Sequence, residues 1–211
     1  TMSNWTVWSA ERYFRSVYDL MISTQLQAHV NQCDETTLEV IHDGRPAGST
    51  SYMWVYLTGE LSPVPKIIVY EYQKTRHSDH PKEYYKDFNG ILMTDGLEQY
   101  HKLAREREGL INANCLAHAR RKFFEAVPAA RRKKLKLLDV NSDEAIEDTG
   151  LPDEEKLEQL LPAEIGLLYC NKLFYLERTL KELEAEERKQ QRTILEQPVW
   201  EQFWNWLGTL H

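Results

Sequence analysis

The sequence has too little cysteine to staple itself. Its three cysteines, Cys33, Cys115 and Cys170, are odd in number and far apart. That excludes a disulfide framework and points to a reducing compartment. Long apolar runs are missing as well: none approaches the roughly 20 residues that a membrane-spanning helix needs, so no membrane partner is expected. The first residues lack a basic-then-apolar signal pattern, and the cytoplasm is the expected location. They open inside a helical pattern without a clear cap, which leads us to expect upstream sequence. No internal repeat is visible. What is present is a globular composition, 42% hydrophobic and 28% charged over 211 residues, enough for one large domain or two small ones with a real core.

A net charge of −7 argues on its face against a nucleic-acid partner. The average conceals a segregation. Between Arg120 and Lys136 there are eight Lys/Arg and one acid, Glu125, whereas between Asp139 and Glu158 there are nine acids and one base, Lys156. Charge averaged over the chain is therefore a poor guide to its partners.

Hydrophobic period divides the chain. Asn4 to about Val30 reads as an amphipathic helix whose stripes, Tyr13, Val17, Leu20 and Phe14, Tyr18, Met21, form a broad buried face. Trp5 and Trp8 read as packing residues. From Asp34 the period becomes two, with a short strand at Thr37 to Ile41, a turn at His42-Asp43-Gly44, and strands at Ser51 to Leu57 and Lys66 to Tyr72. A polar loop at Gln73 to His80 carries Arg76, His77, Asp79 and His80, and a short helix follows from Pro81. Ile91 to Thr94 is a fourth strand, Leu97 to Glu108 a helix, and Leu110 to Asn114 a fifth strand. Three hairpin strands followed by alternating strands and helices predict an α/β fold. It is a mixed five-stranded sheet with flanking helices, on the ribonuclease H-like plan. After Cys115 an all-helical region is predicted: Leu116 to Val127, a basic stretch at Arg131 to Leu138, an acidic linker at Asn141 to Glu155, a long helix from Ala163 to about Glu196, and a last helix with Trp200, Phe203, Trp204 and Leu207 on one face. The long helix reads as half of an antiparallel hairpin, with self-association as the alternative. The expected division is a leading helix (1–30) packing on the core, a core (31–127) and a helical insertion region (128–211).

Two constellations carry chemistry. Asp34 opens the first hairpin strand and Asp95 ends the fourth, which this topology sets side by side. Two carboxylates on neighbouring rigid elements suit a two-metal phosphoryl-transfer site, and Mg²⁺ fits because it needs few protein oxygens. The competing reading is two polar strand caps. Glu35, one residue on, falls on the opposite face of the strand and reads as structural. The second constellation is Cys115-Leu116-Ala117-His118-Ala119-Arg120-Arg121-Lys122-Phe123-Phe124. Its His118, Arg121 and Lys122 share a helix side able to neutralise phosphates; a solvated helix face is the competing reading. Cys115 with His118 lacks the second ligand pair of a zinc site.

The ordered segments give more than their parts. Cys33-Asp34-Glu35-Thr36-Thr37-Leu38, Ser51-Tyr52-Met53-Trp54-Val55-Tyr56, Tyr70-Glu71-Tyr72-Gln73-Lys74-Thr75-Arg76, His80-Pro81-Lys82-Glu83, Phe88-Asn89-Gly90-Ile91-Leu92-Met93-Thr94-Asp95-Gly96 and Cys115 to Phe123 resemble the central part of insertion sequence 66 family transposases, which are DDE, ribonuclease H-like enzymes. The resemblance implies cleavage at transposon ends and strand transfer to target DNA with Mg²⁺ or Mn²⁺. Asp34 and Asp95 match the family's first two catalytic acids and metal ligands, and His118 lies in its C-x-x-H segment. Leu116 stands where the family commonly has Trp. The third acid, a Glu in an Asn-Asn-x-x-Glu segment, has no counterpart in this sequence; Glu125 and Glu177 are weak substitutes. With DNA as substrate, His118, Arg120, Arg121, Lys122, Arg131, Arg132, Lys133 and Lys134 become candidate backbone contacts. The implied partners are transposon-end and target DNA, with a homo-oligomer in the DNA complex as an option. The implied location is a bacterial cytoplasm, at the nucleoid. The alternative is a catalytically inert DNA-binding or assembly fragment.

Overall fold

The computed structural model describes residues 1–41, 43–46, 48–59, 62–134, 151 and 159–210. The acidic linker expected at Asn141 to Glu155 lies outside the described residues except for Leu151. The chain forms two compact units, Thr1–Cys115 and Leu116–His211.

The first unit opens with α1 (Met2–Ser9), a π-helical turn (Ala10–Phe14) and α2 (Arg15–Gln25). Five strands follow: β1 (Val30–Glu39), β2 (Thr50–Thr58), β3 (Ile68–Gln73), β4 (Gly90–Thr94) and β5 (Leu110–Asn114). Helix α3 (Asp79–Tyr84) connects β3 to β4, and α4 (Glu98–Glu106) connects β4 to β5. The sheet order is β3-β2-β1-β4-β5. β1, β2 and β3 pair antiparallel, while β4 runs parallel to β1 and β5 parallel to β4. This is the mixed five-stranded sheet with flanking helices that the sequence predicts.

One sheet face is the core. Cys33 of β1, Trp54 and Tyr56 of β2, Val69 of β3 and Leu92 of β4 are buried there, beneath Tyr84, Tyr85, Phe88, Tyr100 and Leu103. Aromatic rings carry much of this packing: Tyr56 stacks on Tyr84 with ring centroids 3.6 Å apart, and Tyr85 meets both edge-on. The opposite face is only half covered. It carries Asp34 and Val55, which are paired, and Tyr70 and Ile111, both more than half exposed.

Two expectations about this unit need correction. The first strand begins at Val30, not Thr37, and the preceding helix stops at Gln25. The early half of β1, Val30 to Asp34, is rich in polar side chains, so it lacks the apolar alternation that marks a half-buried strand. Asn31 among them is fully buried; its Nδ2 donates to the Gln25 carbonyl at 3.1 Å, while its Oδ1 has no hydrogen-bond partner among the described residues. The leading helix also buries less than its stripes suggest. Tyr13, Phe14, Val17 and Leu20 are more than half exposed, and only Tyr18, Met21, Ile22 and Leu26, near its end, pack on the core. Trp5 and Trp8 are exposed too, in edge contact with one another.

The second unit contains α5 (Leu116–Ala126), α6 (Ala129–Lys134), α7 (Pro162–Thr179), α8 (Ala185–Leu195) and α9 (Gln197–Gly208). Helix α5, grouped with the sheet on sequence grounds, packs on α7. The long helix expected from Ala163 to Glu196 is two helices. Arg188 holds the break, donating to the carbonyls of Leu180, Lys181 and Leu183 at 3.1, 2.8 and 2.7 Å. These satisfied carbonyls end α7 without glycine or proline, so no sequence punctuation announces the turn. The core joins Ile165, Tyr169, Cys170, Leu173 and Leu176 of α7 to Val199 and Phe203 of α9, with Phe123 of α5 against them. Of the expected α9 stripe, Phe203 is buried and Trp204 exposed.

Gly166 sits on α7 where the ring of Phe123 comes closest, and a Cβ there would collide with the ring edge. The substitution Gly166→Ala sets a helix-propensity gain of about 1 kcal/mol against overpacking of about 1–3 kcal/mol. Overpacking should win, because Phe123 is wedged against Phe203 and Trp206. Chemical denaturation should show a net loss of up to about 2 kcal/mol; a stabilised variant would mean the α5–α7 contact is slack.

Candidate active site

Strand β1 is the element from which the site is built. It pairs with β2 from Asn31 to Glu39 and with β4 from Val30 to Gln32. Partners on the β4 side are Val30 with Ile91, Asn31 with Leu92 and Gln32 with Met93. Two residues further along the same register stand Asp34 and Asp95, just past the end of β4. Asp34 Oδ1 accepts the Glu35 backbone N–H at 2.9 Å. Asp95 Oδ1 accepts the Leu97 N–H at 3.2 Å, and Gly96, at φ +83°, takes the left-handed conformation that lets the chain turn away there.

The third acid at this strand end is Glu35, which points to the core side of β1. Its side chain is 1% exposed. Tyr100 of α4 donates its hydroxyl to Glu35 Oε2 at 2.8 Å, and Arg76, in the loop after β3, donates Nε to Oε1 at 2.5 Å. The same guanidinium places Nη2 3.7 Å from Asp95 Oδ2. Burial pulls the Arg76 pKa down, but the Glu35 hydrogen bond and the charges of Glu35 and Asp95 outweigh it, so the net shift is upward. Burial pushes the Tyr100 hydroxyl far above its ordinary range, keeping it a donor. Cys33 Sγ lies 3.6 Å from that hydroxyl, and burial shifts its thiol well upward, which favours the protonated form.

The donors at this end of the sheet are carboxylate oxygens, the chemistry that Mg²⁺ or Mn²⁺ takes. A cation, Arg76, is already drawn to two of them. Among the described residues no group of three or more His, Cys, Asp or Glu gathers closely enough to hold a metal. The residues present therefore fit part of a hard-cation site. Of the two weak substitutes, both in the second unit, Glu125 lies 3.8 Å from Lys122 and Glu177 is engaged by Arg192, with Nε 2.9 Å from Oε2.

The cationic set divides once the helices pack. Arg120, expected at the surface, is 6% exposed and donates Nε to Asn171 Oδ1 at 2.6 Å. It falls in the buried stripe of Leu116, Phe123 and Val127, and desolvation lowers its pKa. Arg131 grips Glu164 with Nε and Nη2, both at 2.6 Å. Glu164, 2% exposed, also accepts the Leu161 N–H at 2.7 Å and so caps α7. Arg132 lies over the Phe124 ring, 5.0 Å from its centroid. His118 is half-buried. Arg121 and Lys122 are exposed. The side chains of Lys133 and Lys134 lie outside the described residues.

Comparison with known proteins settles the relationship. The model of the family described as "Transposase IS66 family" matches residues 1–211. The chain belongs to this family of transposases. It is also similar to two uncharacterized proteins of Sinorhizobium fredii (strain NBRC 101917 / NGR234). One, y4jD, is 29% identical over 178 residues, covering 80% of this chain and 29% of that protein. The other, y4hP, is 28% identical over 200 residues, covering 90% and 32%. The chain thus spans just under a third of the length of these relatives. A solved structure, titled as a simian T-cell lymphotropic virus intasome in complex with PP2A regulatory subunit B56 gamma, aligns at 11% identity and TM-score 0.32, over 74% of this chain and 49% of that one.

In this IS66-family chain the motifs singled out Asp34 and Asp95 as candidates, whereas they did not single out Arg76 or Tyr100. Arg76 was visible only as one charge in a polar loop. The signal that withdraws Arg120 was present, since it recurs at helical spacing with apolar neighbours. Stability measurements separate the two kinds of cation in this IS66-family chain. Arg131→Gln strands buried Glu164 and should lower the melting temperature clearly. Arg121→Gln should leave it unchanged. Equal effects would mean that the Arg131–Glu164 pair does not hold α6 to α7.

Proposed function

We propose that this chain is the catalytic-core portion of a DDE-type transposase that cleaves DNA at transposon ends and transfers the strand to target DNA. The observation that supports the reading is the parallel register of β1 with β4, whose continuation two residues past Gln32 and Met93 would bring Asp34 alongside Asp95. Asp34 and Asp95 would hold Mg²⁺ or Mn²⁺. When bound, the metal would activate an oxygen nucleophile and stabilise the leaving oxygen of a phosphodiester. The protein's own part is to fix the carboxylates. Strand pairing immobilises the backbone at Asp34, the Gly96 turn orients Asp95, and Tyr100 with Arg76 locks Glu35 beneath them.

Two carboxylates and a locked third make an incomplete set. With no Asn-Asn-x-x-Glu segment in the sequence and no group of three acids gathered among the described residues, we take the remaining catalytic acid to come from outside these residues. The isolated chain would then cut DNA poorly, even while binding it. The cationic contribution falls to the exposed Arg121 and Lys122, contacts that position DNA without reading sequence. DNA as substrate places the work at the bacterial nucleoid.

Two measurements test this. In the full-length transposase, Asp34→Asn and Asp95→Asn should each abolish end cleavage, by at least about a hundredfold, while leaving DNA affinity within about twofold. Cleavage that survives either change removes that residue from the site. Charge reversal at Arg121 and Lys122 should weaken binding and flatten the plot of log affinity against log salt by roughly one unit per lost contact. An unaltered slope would turn this helix away from DNA.

A further inference from the structure

We propose that Arg76 is the built-in counter-cation of the acidic strand end, anchored on Glu35 and competing with a divalent cation for Asp95. The inference rests on reading Asp34 and Asp95 as metal-holding residues. Its geometric basis is an asymmetry in one guanidinium. Nε sits 2.5 Å from Glu35 Oε1, a charge-assisted hydrogen bond. Nη2 sits 3.7 Å from Asp95 Oδ2, too far for a hydrogen bond and close enough for attraction.

The two acids differ in how they are held. Glu35 is enclosed, its side chain 1% exposed, with a second bond from Tyr100. Releasing Arg76 would leave that carboxylate buried without its cation, a costly arrangement. Asp95 is more open, at 16%. Its Oδ1 accepts the Leu97 N–H, and Arg76 faces its Oδ2. A divalent ion arriving at Asp95 therefore meets a resident positive charge. The economical response is for Nη2 to swing away while Nε stays on Glu35. Arginine suits this role because its separate donors can serve two acids and release one. Without metal, Arg76 relieves repulsion between carboxylates at adjacent strand ends. With metal, it sets how tightly the ion is held.

The test uses Mn²⁺ alone, with free Mn²⁺ followed by its electron paramagnetic resonance signal, on the 211-residue chain. Five proteins are compared: wild type, Asp95→Asn, Arg76→Gln, Glu35→Gln and the double variant Glu35→Gln/Arg76→Gln. The double variant replaces a buried ion pair by two neutral near-isosteres, so it keeps the test valid should Arg76→Gln alone fail to fold. Glu35→Gln alone leaves Arg76 with only Asp95 to face, and should bind Mn²⁺ more weakly than wild type. The double variant should bind Mn²⁺ roughly two- to tenfold more tightly than Glu35→Gln. Arg76→Gln, if folded, should melt below wild type without Mn²⁺, and saturating Mn²⁺ should narrow the gap. A purely structural Arg76 predicts the reverse, with affinity unchanged or weakened whenever Arg76 is removed, and that result overturns the proposal. If wild type binds Mn²⁺, Asp95→Asn does not, and the double variant gains nothing, only the role of Arg76 falls. If Asp95→Asn binds as wild type does, the metal reading of Asp95 falls, and this inference with it.

Discussion

Hydrogen bonding along both edges of β1 is the constraint on which the site depends. A strand paired on one side twists and shifts; one locked between an antiparallel and a parallel neighbour has its register fixed twice. In this chain β2 fixes β1 along its length, while β4 fixes only its first three residues. Beyond that point β4 has ended and β1 continues, so the side chains of Asp34 and Glu35 emerge beside the loop that begins at Asp95. Carboxylates can crowd there because they sit at the end of a rigid sheet.

Crowding carries an electrostatic cost that the fold answers locally. Like charges on neighbouring strands repel, and a carboxylate as enclosed as Glu35 also loses its hydration. Tyr100 returns one hydrogen bond and Arg76 a charge. These come from different elements, one from α4 and the other from the loop after the edge strand β3. The acidic end of the sheet is thereby tied to both flanks of its own unit. The second unit handles buried charge in the same way. Arg120 meets Asn171, and Glu164 meets Arg131 and a helix N-terminus. Cations that look like a DNA-binding run in the sequence are spent, in good part, on holding helices together.

What could be read in advance followed from the physics of each signal. The later strands were legible because their β-branched and aromatic residues alternate between glycine and proline stops. The first half of β1 was not, because its polar run lacks the apolar alternation of a half-buried strand, and Glu35 gains its partners, Arg76 and Tyr100, only from elements distant in sequence. The N-terminal helix misled in the opposite sense. Its apolar stripe is real, but only its final turns reach the aromatic core, and the face from Tyr13 to Leu20 stays largely open. The burial of Arg120 was not foreseen because a run of like charges outweighed its helical phase. The break between α7 and α8 left no mark, since a single arginine, eight positions beyond Leu180, closes the turn.

The sequence by itself determined the order of the strands and the family, and it singled out Asp34 and Asp95 as the candidate pair. Local period and ordered motifs are properties of neighbouring residues, and they survive without knowledge of the fold. Only the tertiary structure decided which charges are free to act. It put Glu35 and Asp95 on one guanidinium, buried Arg120, paired Arg131 with buried Glu164 and left Arg121 and Lys122 at the surface. The fate of a charged side chain depends on burial and on partners tens of residues away. Glu35 and Arg76 are 41 positions apart and Arg131 and Glu164 are 33 apart; no local pattern encodes those distances.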